Sequence, residues 1–156
     1  MHAMPGARHF LLIGGWITAA ASFLHVAIIL GGADWYRFFG AGEAMARLAA
    51  RGSPYPATVT AGIATLLGVW ATYGLSGAGI VRRLPFLRPA LVLIAAAYLA
   101  RGLLGIPVVL LGVGPYLHEL RARMTFMVVS SAICIVVGLC YAVGAAGVGK
   151  LSPPTA

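Results

Sequence analysis

The chain has 156 residues, of which 61% are hydrophobic and 9% charged, and its formal net charge is +8. A soluble domain is roughly 45–50% apolar and about 25% charged, so this composition excludes a soluble globular domain. The basic residues lie mainly between long apolar runs, where they hold helix ends at the level of the lipid phosphates. We therefore expect membrane lipids, and no nucleic acid, as partners.

The first apolar run predicts a membrane span over residues 10–30, since about 20 apolar residues cross the hydrocarbon core. The run continues well past the small residues 19–21, which argues against its removal as a signal peptide. The glycine pair 31–32 predicts its end. His25 is the only histidine inside an apolar run. It is a candidate for ligand contact, proton transfer or a helix–helix hydrogen bond, and a second ligand is missing at helical spacing, so metal or haem is not expected.

Residues 34–51 predict an amphipathic helix at the membrane interface, with Asp34 as its N-cap and Trp35 on its apolar face. Glu43 stands four residues before Arg47, at the spacing of a solvated helical ion pair. With His25, the side chains of Asp34, Trp35 and Glu43 are candidates for the entrance of a binding cavity. The alternative is an aromatic interfacial belt with charged neighbours.

The rest of the chain predicts three further spans, over residues 56–75, 90–111 and 124–145. Pro56 suits the first turn of the second span. Pro107 predicts a kink or a short unwinding in the third span. Cys134 and Cys140 are too far apart along one helix for a disulfide and are predicted to be small buried residues.

These elements predict an all-α, integral-membrane four-helix bundle, with one interfacial amphipathic helix between spans one and two, as a single domain over residues 1–156. Ten arginines against one lysine, with abundant alanine and glycine, suit a GC-rich bacterial genome, so we expect a bacterial cytoplasmic (inner) membrane. The two sides of the membrane carry five basic residues each. The compact second connection, with three arginines, and the three acids on the other side favour cytoplasmic termini.

Arg101 is the only charged residue in the 22-residue run 90–111. A guanidinium stays charged at ordinary pH, and at the centre of a bilayer it costs about 2.5–3.5 kcal/mol on insertion scales. With Tyr98 one turn earlier, it is a candidate to bind a carboxylate, a phosphate or a quinone oxygen. The alternative is a structural arginine bonded to helix carbonyls or paired with Glu43 or Glu119.

Three functions follow from this pattern. The first is the binding or translocation of an anionic or carbonyl-bearing lipophilic small molecule at Arg101, in a homo-oligomer because four short spans enclose little volume. The second is a membrane-embedded enzyme acting on a lipid or quinone-like substrate, with His25, Glu43 or Asp34 as general acid or base. The third is a structural or accessory subunit. The sequence leaves any cofactor unknown and favours a protein that is not an enzyme.

Overall fold

A computed structural model describes residues 5–148 of the protein. Within this range the chain is all-helical and contains no strand. In this part of the chain there are six helices: α1 (Pro5–Phe38), α2 (Glu43–Ala50), α3 (Tyr55–Gly77), α4 (Leu87–Leu111), α5 (Pro115–Arg121) and α6 (Met124–Val148). The four long helices α1, α3, α4 and α6 are apolar and long enough to cross a membrane. The predicted four-helix membrane bundle is therefore confirmed. Residues 1–4 and the C-terminal residues 149–156, whose Ser-Pro-Pro sequence predicts a loose tail, lie outside the described residues.

The segment between the first two spans differs from the single helix predicted over 34–51. Helix α1 runs through Gly31 and bends at Gly32, whose φ of 65° and ψ of −149° suit a glycine alone. The helix then resumes for residues 33–38, which we call the tip of α1. Positive φ angles at Gly40 and Gly42 turn the chain before α2 begins. Asp34 thus lies within the helical tip, and the predicted N-cap position is wrong because Gly42 precedes α2.

Close helix contacts gather at one end of the bundle, which holds the N-terminus of α1 and the C-terminus of α6 and which we call the closed end. Leu11 of α1 packs where Gly144 has no side chain, and Gly14 lies against Cys140 and Tyr141. Leu11, Leu91, Val137 and Tyr141 form the largest buried cluster. Since lipid offers no hydrophobic driving force, such close approach is what holds membrane helices together.

The opposite end of the bundle, which we call the open end, carries α2, α5 and the tip of α1. Helix α1 packs along α3, and α4 packs along α6, while α1 and α6 join the two pairs. At the closed end glycines bring α1 and α6 together, whereas at the open end α6 presents the larger Phe126 and Met127. Residues of both helix pairs line a space at this end of the bundle.

Candidate functional site

A cavity of about 510 Å³ lies between the helix pairs at the open end. Its polar lining comprises His25, Tyr36, Thr60, Arg101 and Tyr116. Its apolar lining includes Ile28, Phe39, Met45, Ile63, Phe126 and Met127. The volume lies in the range of about 300–1,000 Å³ that is usual for small-molecule sites. Apolar walls with a few polar groups are the composition expected of a site for a lipophilic molecule.

The Arg101 side chain reaches from the middle of α4 into this cavity. Its Cα lies ten residues before Leu111, which is a rise of about 15 Å. The side chain runs towards the open end across Gly105, where an added Cβ would overlap its Nη1 atom. The same Nη1 donates a long hydrogen bond of 3.5 Å to the Oγ of Ser131. The guanidinium thus lies about one helical turn nearer the open end than its own Cα, and the bare backbone of Gly105 makes room for it.

Within residues 5–148, Arg101 has no carboxylate partner, because Asp34, Glu43 and Glu119 are all engaged at the open end. Arg37 binds Glu43 through two hydrogen bonds of 2.9 and 3.2 Å, and it also binds Asp34 at 2.9 Å. The carboxylate of Glu119 accepts the backbone N–H of Glu43 at 2.8 Å. The predicted pairing of Arg101 with Glu43 or Glu119 is therefore not formed.

The other structural role predicted for Arg101 is a hydrogen bond to helix carbonyls. Three other arginines make bonds of this kind. Arg8 donates to Ala78, the C-cap of α3, at 3.0 Å. Arg121 donates to the last carbonyls of α4, including that of Val109 at 2.8 Å. Arg123 donates to the carbonyls of Arg37 and Phe38 at the end of α1. These contacts complement the negative end of each helix. Arg101 binds no carbonyl within residues 5–148, and its charge is the uncompensated one that faces the cavity.

His25 faces the cavity from α1 at nearly the depth of the Arg101 guanidinium. From the contact of Gly14 with Cys140, His25 lies about 16.5 Å nearer the open end and Ser131 about 13.5 Å nearer. The Nδ1 of His25 lies 2.7 Å from the carbonyl of Ala21, to which it must donate because a carbonyl only accepts. The Nε2 of His25 has no hydrogen-bond partner within residues 5–148. Among the described residues, no group of three metal-binding side chains surrounds it.

Tyr98, the predicted second donor beside Arg101, does not line the cavity. Its hydroxyl donates to the Oγ1 of Thr18 at 3.2 Å, and its ring stacks on Tyr141 with centroids 6.1 Å apart. Residues three apart on a helix differ by about 60° in direction, and this difference turns Tyr98 into the core while Arg101 faces the cavity.

Tyr36 is a cavity residue that sequence reasoning missed. It is 2% exposed, it packs with Ile28 and Ala46, and its buried hydroxyl has no hydrogen-bond partner within the described chain. A buried hydroxyl without a partner costs roughly 1–3 kcal/mol, which a ligand or a bound water would offset. The kink at Gly32 turns this tyrosine inwards, so a helical wheel drawn through residues 34–51 could not place it.

The other predicted entrance residues lie around the cavity and do not line it. The Asp34 carboxylate is 92% exposed. The ring of Trp35 lies over Gly31 and beside Phe39, with ring centroids 5.7 Å apart. Glu43 lines a neighbouring crevice of about 290 Å³, and the guanidinium of Arg37 holds the pKa of its carboxyl below the ordinary value, mainly by hydrogen bonding. Trp35 and Glu43 thus lie next to the residues that form the cavity wall.

Polar contacts fasten that wall to the rest of the open end. The hydroxyl of Tyr116 donates to the carbonyl of Gly40 at 3.2 Å. Together with the contacts of Glu119 and Arg123, this bond ties α5 and the start of α6 to the turn between α1 and α2. Tyr36, Phe39, Gly40 and Met45 of that segment line the cavity, so these contacts fix the shape of its outer part.

Comparison with known proteins adds no function to this geometry. No protein-family model matches the chain, and neither a curated protein nor a solved structure shows significant similarity to it.

Proposed function

We propose that this membrane protein binds an anionic or carbonyl-bearing lipophilic small molecule in the cavity at the open end, with Arg101 as the principal ligand-binding residue. The observation that carries the proposal is a charged guanidinium that lines an apolar cavity while every acid of the chain is bound elsewhere. An uncompensated cation at membrane depth is costly, and a ligand that supplies negative charge or a carbonyl oxygen offsets that cost.

The composition of the cavity wall supports a lipophilic ligand. Ile63, Phe126 and Met127 provide apolar surface beside the guanidinium, while the free Nε2 of His25 and the hydroxyl of Thr60 add a few polar groups. This division between apolar surface and a small number of polar contacts is typical of small-molecule sites.

Location and assembly are part of the same proposal. We infer that the protein lies in a bacterial inner membrane with both termini in the cytoplasm, so that the cavity opens towards the opposite side. Four short spans enclose little volume, so transport would require several copies of the chain. We therefore predict a homo-oligomer. Native mass spectrometry of the protein extracted with its lipids measures the number of copies directly.

A photoreactive probe tests the binding site. Dodecanoate carrying a diazirine is an anionic lipophilic molecule that labels its neighbours on illumination. In lipid nanodiscs we expect saturable labelling of cavity residues such as Ile63 and Met127, mapped by peptide mass spectrometry. Removal of a charge-assisted contact worth about 1.5–3 kcal/mol predicts at least a tenfold loss of saturable labelling in Arg101→Leu.

Arg83→Leu is the matched control, because Arg83 is an exposed arginine of the α3–α4 connection, remote from the cavity. This variant makes the same chemical change and should label like the parent protein. Absence of saturable labelling, or labelling that is equal in Arg101→Leu, contradicts the proposed function.

Catalysis is a second candidate function, favoured by the free Nε2 of His25 at the depth of Arg101. Of the three acid–base residues predicted for an enzyme, Asp34 and Glu43 are bound to Arg37 beside the cavity, which leaves His25. Incubation of the protein with extracted membrane lipids, followed by mass analysis, tests this function. A product that disappears in His25→Ala and persists in Asp34→Asn supports catalysis.

The third possibility is a structural subunit. In that case the protein would lose assembly in Arg101→Leu without any change in bound ligand.

A further inference from the structure

We propose that the ligand is a compact single-chain carboxylate, bound with its carboxylate innermost on Arg101 and with its apolar chain directed towards the open end. This inference rests on the proposed function and names the chemical class and the orientation of the ligand. Three properties of the cavity carry it: its charge, its volume and the depth at which the charge lies.

The charge of the cavity favours a monoanion. Arg101 is the one permanently charged side chain among the described residues that line the cavity. Tyr36, Thr60 and Tyr116 add hydroxyl groups without charge. A carboxylate carries one negative charge and matches the planar fork of a guanidinium. A phosphate monoester carries about −1.5 to −2 charges near neutral pH, so a second cation would be needed to balance it in an apolar space.

The volume of the cavity limits the size of the ligand. A space of about 510 Å³ holds one chain or a small ring system. A diacyl phospholipid carries two chains, each as long as half of the hydrocarbon core of about 30 Å, and is too large for it. A whole diacyl lipid of the bilayer therefore does not fit within the cavity.

The position of the charge along the cavity sets the orientation. The Arg101 guanidinium and His25 lie at the deep end, beneath which α1 and α6 close on each other. The outer part, beside α2, is lined by Phe39 and Met45 and by the uncharged side chain of Tyr36. A bilayer lipid in its ordinary orientation keeps its charge at the interface and its chain below. The cavity has its one permanent charge at the deep end instead, so the ligand must insert its charged group first.

Competition for the diazirine–dodecanoate site in nanodiscs tests the chemical class. Dodecanoate should compete at least tenfold better than dodecanol, which has the same chain without the charge. It should also compete better than dodecyl phosphate, and dioleoyl phosphatidylglycerol should not compete. The advantage of dodecanoate over dodecanol should persist in Arg83→Leu and vanish in Arg101→Leu.

Two positions of the diazirine test the orientation. A diazirine beside the carboxylate should label α4 and α6 next to Arg101, around Gly105 and Ser131. A diazirine at the end of the chain should label Phe39 and Met45.

Each result separates this inference from the proposed function. Labelling that depends on Arg101 but is displaced equally well by dodecanol, or better by dodecyl phosphate or the diacyl lipid, overturns the carboxylate assignment and leaves the proposed function standing. A reversed labelling pattern overturns the orientation in the same way. Labelling that is absent or indifferent to Arg101 overturns both.

Discussion

The position of one guanidinium depends on a glycine one turn further along the same helix. Arg101 can lie against the backbone of α4 because Gly105 offers no side chain, and in that position its Nη1 reaches Ser131. A charge held in this way lines the cavity. Gly105 is therefore a positioning residue for the binding site.

Gly105→Ala should weaken binding of the carboxylate probe while the charge of Arg101 is kept. The added methyl group overlaps Nη1 and moves the guanidinium away from Ser131, so we expect a several-fold loss of saturable labelling. Helix stability should hold or rise, since alanine is favoured over glycine in a helix by about 1 kcal/mol. Probe titration and thermal unfolding measure the two effects separately.

Gly62→Ala is the control for that substitution. Gly62 lies in α3 with open space around its Cα, so a methyl group there meets nothing among the described residues. Its variant should bind the probe like the parent protein. Equal binding by Gly105→Ala would mean that the space beside Gly105 is not needed and that the guanidinium binds the ligand from another position.

At the scale of helices, the segment from Gly32 to the end of α2 forms the outer wall of the site. Its shape depends on three glycines with positive φ angles and on the ion pair between Arg37 and Glu43. The wall is therefore held by polar contacts and turns, whereas the membrane spans are held by close packing. Contacts of this kind are the first to open locally.

Glu43→Gln should loosen this wall. The substitution removes the charge that Arg37 binds, and hydrogen exchange of peptides covering the turn 39–42 should become several-fold faster. Asp34→Asn is the control, because the Asp34 carboxylate is almost fully exposed and contributes little. Unchanged exchange in Glu43→Gln would show that the backbone contacts of Arg123 and Tyr116 hold the wall without the ion pair.

The same wall should respond to acid only at low pH. Arg37 holds the pKa of the Glu43 carboxyl below its ordinary value. The stabilisation from the pair is therefore complete above the ordinary carboxyl range and is lost as the pH falls through the lowered pKa. An environment-sensitive fluorophore attached to α2 should report no change between neutral pH and the ordinary carboxyl range, and a change below it. A change already near neutral pH would contradict this assignment.

The membrane spans could be predicted from the sequence, whereas the outer wall of the cavity could not, because glycines decide the shape of that wall. About 20 apolar residues in a row admit a membrane helix, and α3, α4 and α6 follow their predicted ranges closely. Arg101 could be found because a charge in such a run has few explanations. Gly31 and Gly32 suit a helix end or a bend equally well, however, and only the packing of Trp35 and Tyr36 decides between them. The direction of Tyr98 likewise depends on the stacking partner Tyr141, which is distant in sequence.

The whole molecule divides stability and binding between its two ends. Glycines at the closed end allow α1 and α6 to meet, and Leu11 is fully buried where Gly144 makes room for it. The cavity at the open end lies between the two helix pairs. Substitutions at the closed end should therefore affect stability, and substitutions at the floor of the cavity should affect binding.

Gly144→Ala tests this division. Its added methyl group would overlap the side chain of Leu11, which has no free space to move into, and overpacking of a close contact costs typically about 1–3 kcal/mol. We expect a lower midpoint of thermal unfolding in a fixed detergent than for Gly62→Ala. Below that midpoint the carboxylate probe should bind with unchanged affinity, because thirteen residues of α6, a rise of about 20 Å, separate Gly144 from Ser131. Gly105→Ala should give the converse, weaker binding without loss of stability. If both variants lose stability and binding together, the cavity and the closed end behave as one cooperative unit, and the separation of roles inferred from the helix contacts is wrong.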